Sequence, residues 1–300
     1  MTKNVLASIF AAARDLLRSP RAFALLIALY LALILACFFF ITTREATLWQ
    51  LFLTGASALG VPLLFFAVQA AGASYAVGER GAGALLRRTA RSFGKVLLVS
   101  LPLVLLAVLA VYLLNKLEDR VKMTPEERAR AEYATSTPDE DAAETDSDAS
   151  DERPKPPVRW KYLLVSALRL IVLGLFLPLV AMHLWLAAAR DGLLSTFARI
   201  HRHILRAFSA RSVLTYGVGM IVFALIPYFL ITKRTPVASN TLELLIFGAR
   251  ILIAFTLMLF GWVMTMTALA AQHGGTTATT EPALDAPTPQ PHSAHATAAS

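Results

Sequence analysis

From Ala22 to Thr42 the chain runs 21 residues without a charged side chain. A hydrocarbon layer about 30 Å thick is crossed by about 20 such residues wound as a helix, each adding about 1.5 Å. Five more apolar blocks follow, at about Leu51 to Ser74, Val96 to Leu114, Tyr162 to Ala188, Val213 to Thr232 and Leu244 to Ala271. A water-soluble chain of 300 residues, 56% hydrophobic, could bury a core, but it would not gather its apolar residues into blocks. The pattern therefore predicts an all-α, polytopic membrane protein with six transmembrane helices. The first block is too long, and lacks the small-residue cleavage flank, to read as a removed signal peptide.

Charge sets the expected orientation. Of 28 Lys/Arg and 20 Asp/Glu, 9 and 13 fall in 115–161, which leaves 19 and 7 elsewhere. Most of those cations flank apolar runs. Lys3, Arg14, Arg18 and Arg21 precede the first block. Arg80, Arg87, Arg88, Arg91 and Lys95 lie between the second and third. Arg190, Arg199, Arg202, Arg206 and Arg211 lie between the fourth and fifth. An even number of spans separates these three segments, so all can share one side. Positive charge is retained on the cytoplasmic side, so both termini are expected there, in a bacterial inner membrane. The net charge of +8 is thus membrane-flanking, and nucleic acid is not an expected partner.

Two of these basic segments have helical periodicity. In 190–211, Leu193, Leu194, Phe197, Ile200, Ile204, Leu205 and Phe208 share one helical face, with Arg199, Arg202, His203 and Arg206 opposite. In 78–95, Leu85, Leu86, Phe93 and Val96 oppose Arg87, Arg88, Arg91 and Lys95. Residues 4–18 form a weaker third case. Such helices lie in a membrane surface, apolar side in the acyl boundary and cations among anionic headgroups. Two or three cytoplasmic amphipathic interfacial helices are therefore expected. Leu85-Leu86-x-x-x-Ala90-Arg91 matches Leu193-Leu194-x-x-x-Ala198-Arg199 at an offset of 108, as in an internal repeat of span, basic helix and span, although Pro62 and Pro178 fall out of register.

The chain then divides into five parts. An N-terminal amphipathic segment (1–21) precedes a first membrane half (22–114). An acidic loop (115–161), expected to be disordered and extracytoplasmic, leads to a second membrane half (162–272) and a disordered tail (273–300). The tract 139–152 holds eight carboxylates but no glycine, so it reads as a solvated spacer rather than a calcium loop. Ser19 and Pro20 suit the N-cap and first position of a helix. Gly55, Ala56, Ser57, Ala58 and Gly60 make a smooth stripe that a neighbouring helix could approach. Pro62 is expected to kink its helix.

Few residues suggest chemistry. Arg169 and Arg250 each lie inside an apolar run with no carboxylate in any span, so they are the sharpest anion-binding candidates. They read in two ways. Two guanidiniums at one depth could hold an anionic headgroup, or each could snorkel to the outer interface. The remaining candidates for anion or lipid binding are Arg87, Arg88, Arg91, Arg199, Arg202 and Arg206. His183 reads as a packing residue, and His201 and His203 as surface charge that grows at low pH. Gln69 is expected to bond across helices, and Tyr216 and Tyr228 to be core or belt residues. Cys37, the single cysteine, follows a lipobox-like Ile34-Leu35-Ala36, but apolar Phe38 to Ile41 continue past it, so it reads as a core thiol. No metal site, cofactor or catalytic residue is expected, because no nucleophile elbow, phosphate loop or HExxH motif occurs.

The stretch Ala13-Arg14-Asp15-Leu16-Leu17-Arg18-Ser19-Pro20-Arg21 ahead of an apolar run, with two span–basic helix–span units, resembles bacterial six-helix proteins related to the glycerophosphoryl diester phosphodiesterase membrane domain. The resemblance covers 10–114 and 160–272. It implies a six-helix membrane architecture; hydrolase activity is not implied, since the soluble phosphodiesterase domain has no counterpart. The expected function is non-enzymatic: binding anionic membrane lipid, or organising a membrane-protein partner or homo-oligomer. The alternative is a transporter or lipid translocase that recognises an anionic group with Arg169 and Arg250.

Overall fold

The computed structural model describes residues 2–43, 47–121, 160–233 and 240–274. The turn at Arg44 and Glu45, the acidic tract and the tail beyond 274 lie outside the described residues. Among those described, every regular element is a helix. They are α1 (Thr2–Arg18), α2 (Pro20–Thr42), α3 (Leu48–Ala76), α4 (Ala82–Val121), α5 (Trp160–Asp191), α6 (Leu193–Ala198), α7 (Ile200–Ala207), α8 (Ala210–Thr232) and α9 (Asn240–Gly274). Six of them, α2, α3, α4, α5, α8 and α9, are long and apolar enough to cross a membrane. One such helix falls at each of the six expected spans.

The helices pack in sequence, α2 on α3, α3 on α4 and α4 on α5, while α9 closes the bundle against α3 and α8. Burial is uneven along them. In α3 the buried residues are Phe66 and 68–75, and in α5 they are Val165 and the run from Leu179 on. In α9 they lie between Ala254 and Leu269. Val165 apart, these stretches lie toward the end that carries the basic segments. There Trp185, Met182, Leu186, Tyr216 and Met266 form the main core. The far halves of the same helices bury little: Leu101, Leu105, Leu109 and Leu113 of α4 are exposed, as are Leu244, Leu245 and Leu252 of α9.

Helix boundaries depart from expectation where local chemistry competes. Residues 78–95 are not a separate surface helix. Residues 82–95 instead open α4, one helix of 40 residues that passes through Val96 and beyond Leu114 to Val121. Before Pro102 only Gly83 and Gly94 rank below the ordinary residues in helix propensity, and a glycine costs about 1 kcal/mol, too little to end a helix. Segment 190–211 is the reverse case, split into α6, α7 and the first turn of α8. Gly192 ends α5 at φ 88. Ser195 and Thr196 then bond back to the Gly192 carbonyl at 3.0 and 2.7 Å, and Ser209 caps α8 by accepting from Ser212 N–H. Ser and Thr favour such local bonds over helix continuation. Ser19 does sit at the N-cap of α2 with Pro20 at its start, but its side chain makes no capping bond.

Two spans contain π-helical turns, Leu170–Phe176 in α5 and Ile221–Leu225 in α8. Each lies just before a proline, Pro178 or Pro227. A proline has no N–H for the carbonyl four residues earlier, and it crowds that carbonyl. Widening the helix by one residue accommodates both effects.

At the ends of the smooth stripe no helix packs closely: among the described residues nothing lies within 4 Å of a Cβ built on Gly55 or Gly60. Close approach occurs elsewhere. A Cβ on Gly219 would lie 2.9 Å from Thr265 Cβ, and one on Gly261 would lie 3.0 Å from the Phe223 backbone nitrogen.

Candidate functional site

α3 ends in a Schellman turn. Gly78 N–H donates to Tyr75 O, Glu79 N–H donates to Ser74 O, and Gly78 takes φ 122, open to it because it lacks a Cβ. The turn delivers Glu79 and Arg80 to the start of α4. Arg80 bonds the Tyr75 carbonyl at the C-terminus of α3, stacks 4.2 Å over the Tyr75 ring and lies 3.7 Å from Asp15 of α1. A cation there also meets the negative end of the α3 dipole.

α4 then presents Arg87, Arg91 and Lys95 at i, i+4 and i+8, one stripe of a helix, with Arg88 and Ser92 beside it. Arg88 Nη1 donates to Glu79 Oε1 at 2.9 Å, and Nη2 donates to the Ala189 carbonyl at 3.4 Å. That second bond ties α4 to the last turn of α5. Between the two helices lies a cleft of about 430 Å³, lined by Arg87, Arg88, Arg91, Lys95 and Arg190, with Glu79 the one carboxylate in its wall. Among the described residues, no carboxylate lies within 4.0 Å of Arg87, Arg91 or Lys95. Five cations against one acid leave the cleft strongly positive, and guanidiniums suit the bidentate binding of phosphate oxygens.

Arg190 also lines a second cavity, of about 560 Å³, whose charges nearly balance. Arg80 and Arg206 face Asp15, Asp191 and His203 there. α1 forms part of its wall, and so does not lie free on a surface. Val5, Ile9 and Ala12 pack on Met264 and Ala268 of α9, while Leu16 joins Leu26 and Leu85.

The eight arginines singled out from the sequence thus separate. Arg87, Arg88 and Arg91 line the basic cleft, and Arg206 lines the balanced cavity. Arg199 and Arg202 are exposed and line neither. Arg169 and Arg250 are not brought together. Arg169 pairs with Glu118 at 3.3 Å, a carboxylate on the extension of α4 beyond the expected end of its span. Arg250 donates to the Lys233 carbonyl at the end of α8. His203, expected on the exposed polar face, is 5% exposed and turned inward, because the split of 190–211 rotates α7. His183 is buried, and His201 is exposed. Gln69 makes no bond across helices through its side-chain oxygen, which has no hydrogen-bond partner among the described residues. Tyr216 is a core residue, and Tyr228 is exposed.

Sequence reasoning missed Lys95 and Arg190 as site residues. Lys95 was legible, since it extends the 87–91 stripe by one turn. The part played by Arg190 was not, since it needs α5 beside α4. Compared with known proteins, the chain matches no protein-family model, no curated protein and no solved structure.

Proposed function

We propose that the protein spans a bacterial inner membrane six times, with both termini in the cytoplasm, and binds anionic lipid headgroups without catalysing a reaction. The observation that carries this is the cleft between α4 and α5, where five cations face one carboxylate. It lies at the end of the bundle where the basic segments gather, the end that positive-inside sorting retains in the cytoplasm. Anionic lipids give the inner leaflet a negative surface potential, worth about 1 kcal/mol for each nearby Lys or Arg. Leu194 and Leu205, 84% and 71% exposed on the helices that follow α5, suit insertion among acyl chains at the headgroup boundary. Arg199 and Arg202 then add attraction without lining the site. A homo-oligomer or a membrane-protein partner is compatible with this role. The alternative translocase has no shared Arg169–Arg250 cavity to support it.

The test is lipid retention. Native mass spectrometry of protein extracted from mixed phosphatidylglycerol and phosphatidylcholine membranes should show bound phosphatidylglycerol. The triple substitution Arg87→Gln, Arg91→Gln and Lys95→Gln should remove most of it, and Arg199→Gln with Arg202→Gln should remove less. Equal retention in the wild type and the triple variant refutes the site. Orientation is read separately, in a Cys37→Ser background, from a cysteine placed at Arg202. Labelling from the periplasmic side overturns the topology.

A further inference from the structure

The basic cleft between α4 and α5 has an order along its length. Residues 82–95 belong to the same helix as the span from Val96 on, so the cations of α4 are stacked along the bundle axis rather than spread across it. Lys95 stands next to the apolar run. Arg91 and Arg87 follow about one and two turns farther out, and the three cover about 12 Å at about 1.5 Å per residue. Arg190 joins the outer tier, because the bond from Arg88 to the Ala189 carbonyl holds the end of α5 level with that part of α4.

Not every charge in the cleft is available to a ligand. Arg88 is committed to Glu79 and to the Ala189 carbonyl. Arg190 Nε lies 3.9 Å from an Asp191 carboxylate oxygen, which offsets part of its charge. Arg87, Arg91 and Lys95 are exposed, and none has a carboxylate within 4.0 Å among the described residues. These three cations stand in one column. A phosphodiester headgroup carries a single negative charge and would leave most of the column unmatched. A terminal phosphate carries about −1.5 to −2 at pH 7, and a second phosphate within the same ester adds another charge. A diphosphate sets those charges in line, so that cations at different heights each meet phosphate oxygens.

The same face of α4 continues past its cations. Leu98 lies seven residues after Arg91, and Leu105 seven after Leu98, close to two helical turns each time. Leu98, Leu105 and Leu109 are 49%, 71% and 52% exposed. A helix face on which a column of cations gives way to open leucines suits a ligand with a polyanionic head and an apolar tail. A soluble diphosphate would use only the first part of it. Resting on the reading of this cleft as an anionic-lipid site, we propose that it selects a membrane lipid ending in a diphosphate. The inner phosphate lies between Lys95 and Arg91, the terminal phosphate lies between Arg87 and Arg190, and the chain runs along Leu98 and Leu105. The cleft volume of about 430 Å³ equals that of about fourteen water-sized groups, room for the whole diphosphate and the first carbons of the chain.

The experiment uses the full chain in phosphatidylcholine nanodiscs, with geranylgeranyl diphosphate as the probe and native mass spectrometry as the readout. The diphosphate should bind about fivefold more tightly than geranylgeranyl monophosphate, and more tightly still than phosphatidylglycerol, since each charge near the surface is worth about that factor. Inorganic diphosphate, which has no tail, should displace the lipid only in large excess. Arg87→Gln and Lys95→Gln, at the two ends of the column, should each bring the diphosphate-to-monophosphate ratio toward one, and Lys95→Arg should keep it. Equal affinity for the two prenyl phosphates, an unchanged ratio in both Gln variants, or inorganic diphosphate binding as tightly as the lipid overturns the proposal. If any of these is found while phosphatidylglycerol is still held by the wild type and lost from the triple Gln variant, only the diphosphate preference falls. If no anionic lipid is retained at all, the site falls with it.

Discussion

Tyr216 Oη donates a 2.7 Å hydrogen bond to the carbonyl of Gly174, and that carbonyl lies four residues before Pro178. In a regular helix residue 178 would supply the donor, but a proline has none. A side chain from α8 thus adds a donor at a carbonyl that Pro178 cannot serve, and two helices are joined at the π-helical turn of α5. Buried Trp185 plays a similar part between α5 and α4, where its Nε1 donates to Ser100 Oγ at 2.7 Å.

Tyr216→Phe should lower stability by about 1 kcal/mol, the usual worth of one such bond. In a Pro178→Ala background, where the backbone N–H is restored, the same substitution should cost almost nothing. A double-mutant cycle on equilibrium unfolding in bicelles reads this coupling. Additive costs would show that the tyrosine does not serve the proline defect.

Glycines should divide by what surrounds them. Gly261→Ala meets the Phe223 backbone nitrogen and should destabilise by about 1–3 kcal/mol through overpacking. Gly219→Ala meets Thr265 Cβ and should do the same. Gly55→Ala and Gly60→Ala meet nothing and should be neutral, or stabilising by up to about 1 kcal/mol through helix propensity. Thermal midpoints of the four variants test the division. A large loss at Gly55 or Gly60 would reveal a neighbour there, such as a second copy.

α1 should be a structural part of the bundle. Leu16 is 0% exposed and Leu17 is 65% exposed, one residue apart. Leu16→Ala should cost about 2–5 kcal/mol, as at other core positions. Leu17→Ala should leave the unfolding midpoint nearly unchanged and weaken membrane-surface contact instead. Similar losses from both would mean that α1 is not docked on α9.

Arg169 and Arg250 should contribute little to stability. The Arg169–Glu118 pair is half exposed on the arginine side, and such pairs are worth about 0–1 kcal/mol. Arg169→Gln should therefore shift unfolding by less than about 1 kcal/mol, and the effect should shrink further in high salt, as screened surface charges do. A loss of several kcal/mol, insensitive to salt, would point to a buried ion instead.

What could be read from the chain alone was whatever depends on distance along it. Apolar blocks about 20 residues long mark the six spans, because bilayer thickness and helical rise fix that length. The i, i+4 spacing of Arg87 and Arg91 marks a basic stripe for the same reason. The tertiary structure decided everything that depends on which helices are neighbours. It placed Arg190 across from the stripe, sent Arg169 and Arg250 to separate partners, turned His203 inward and left the Gly55–Gly60 stripe uncovered. Helix formation is governed by local bonds between residues a few positions apart, whereas packing is settled by surfaces that meet only after the helices exist.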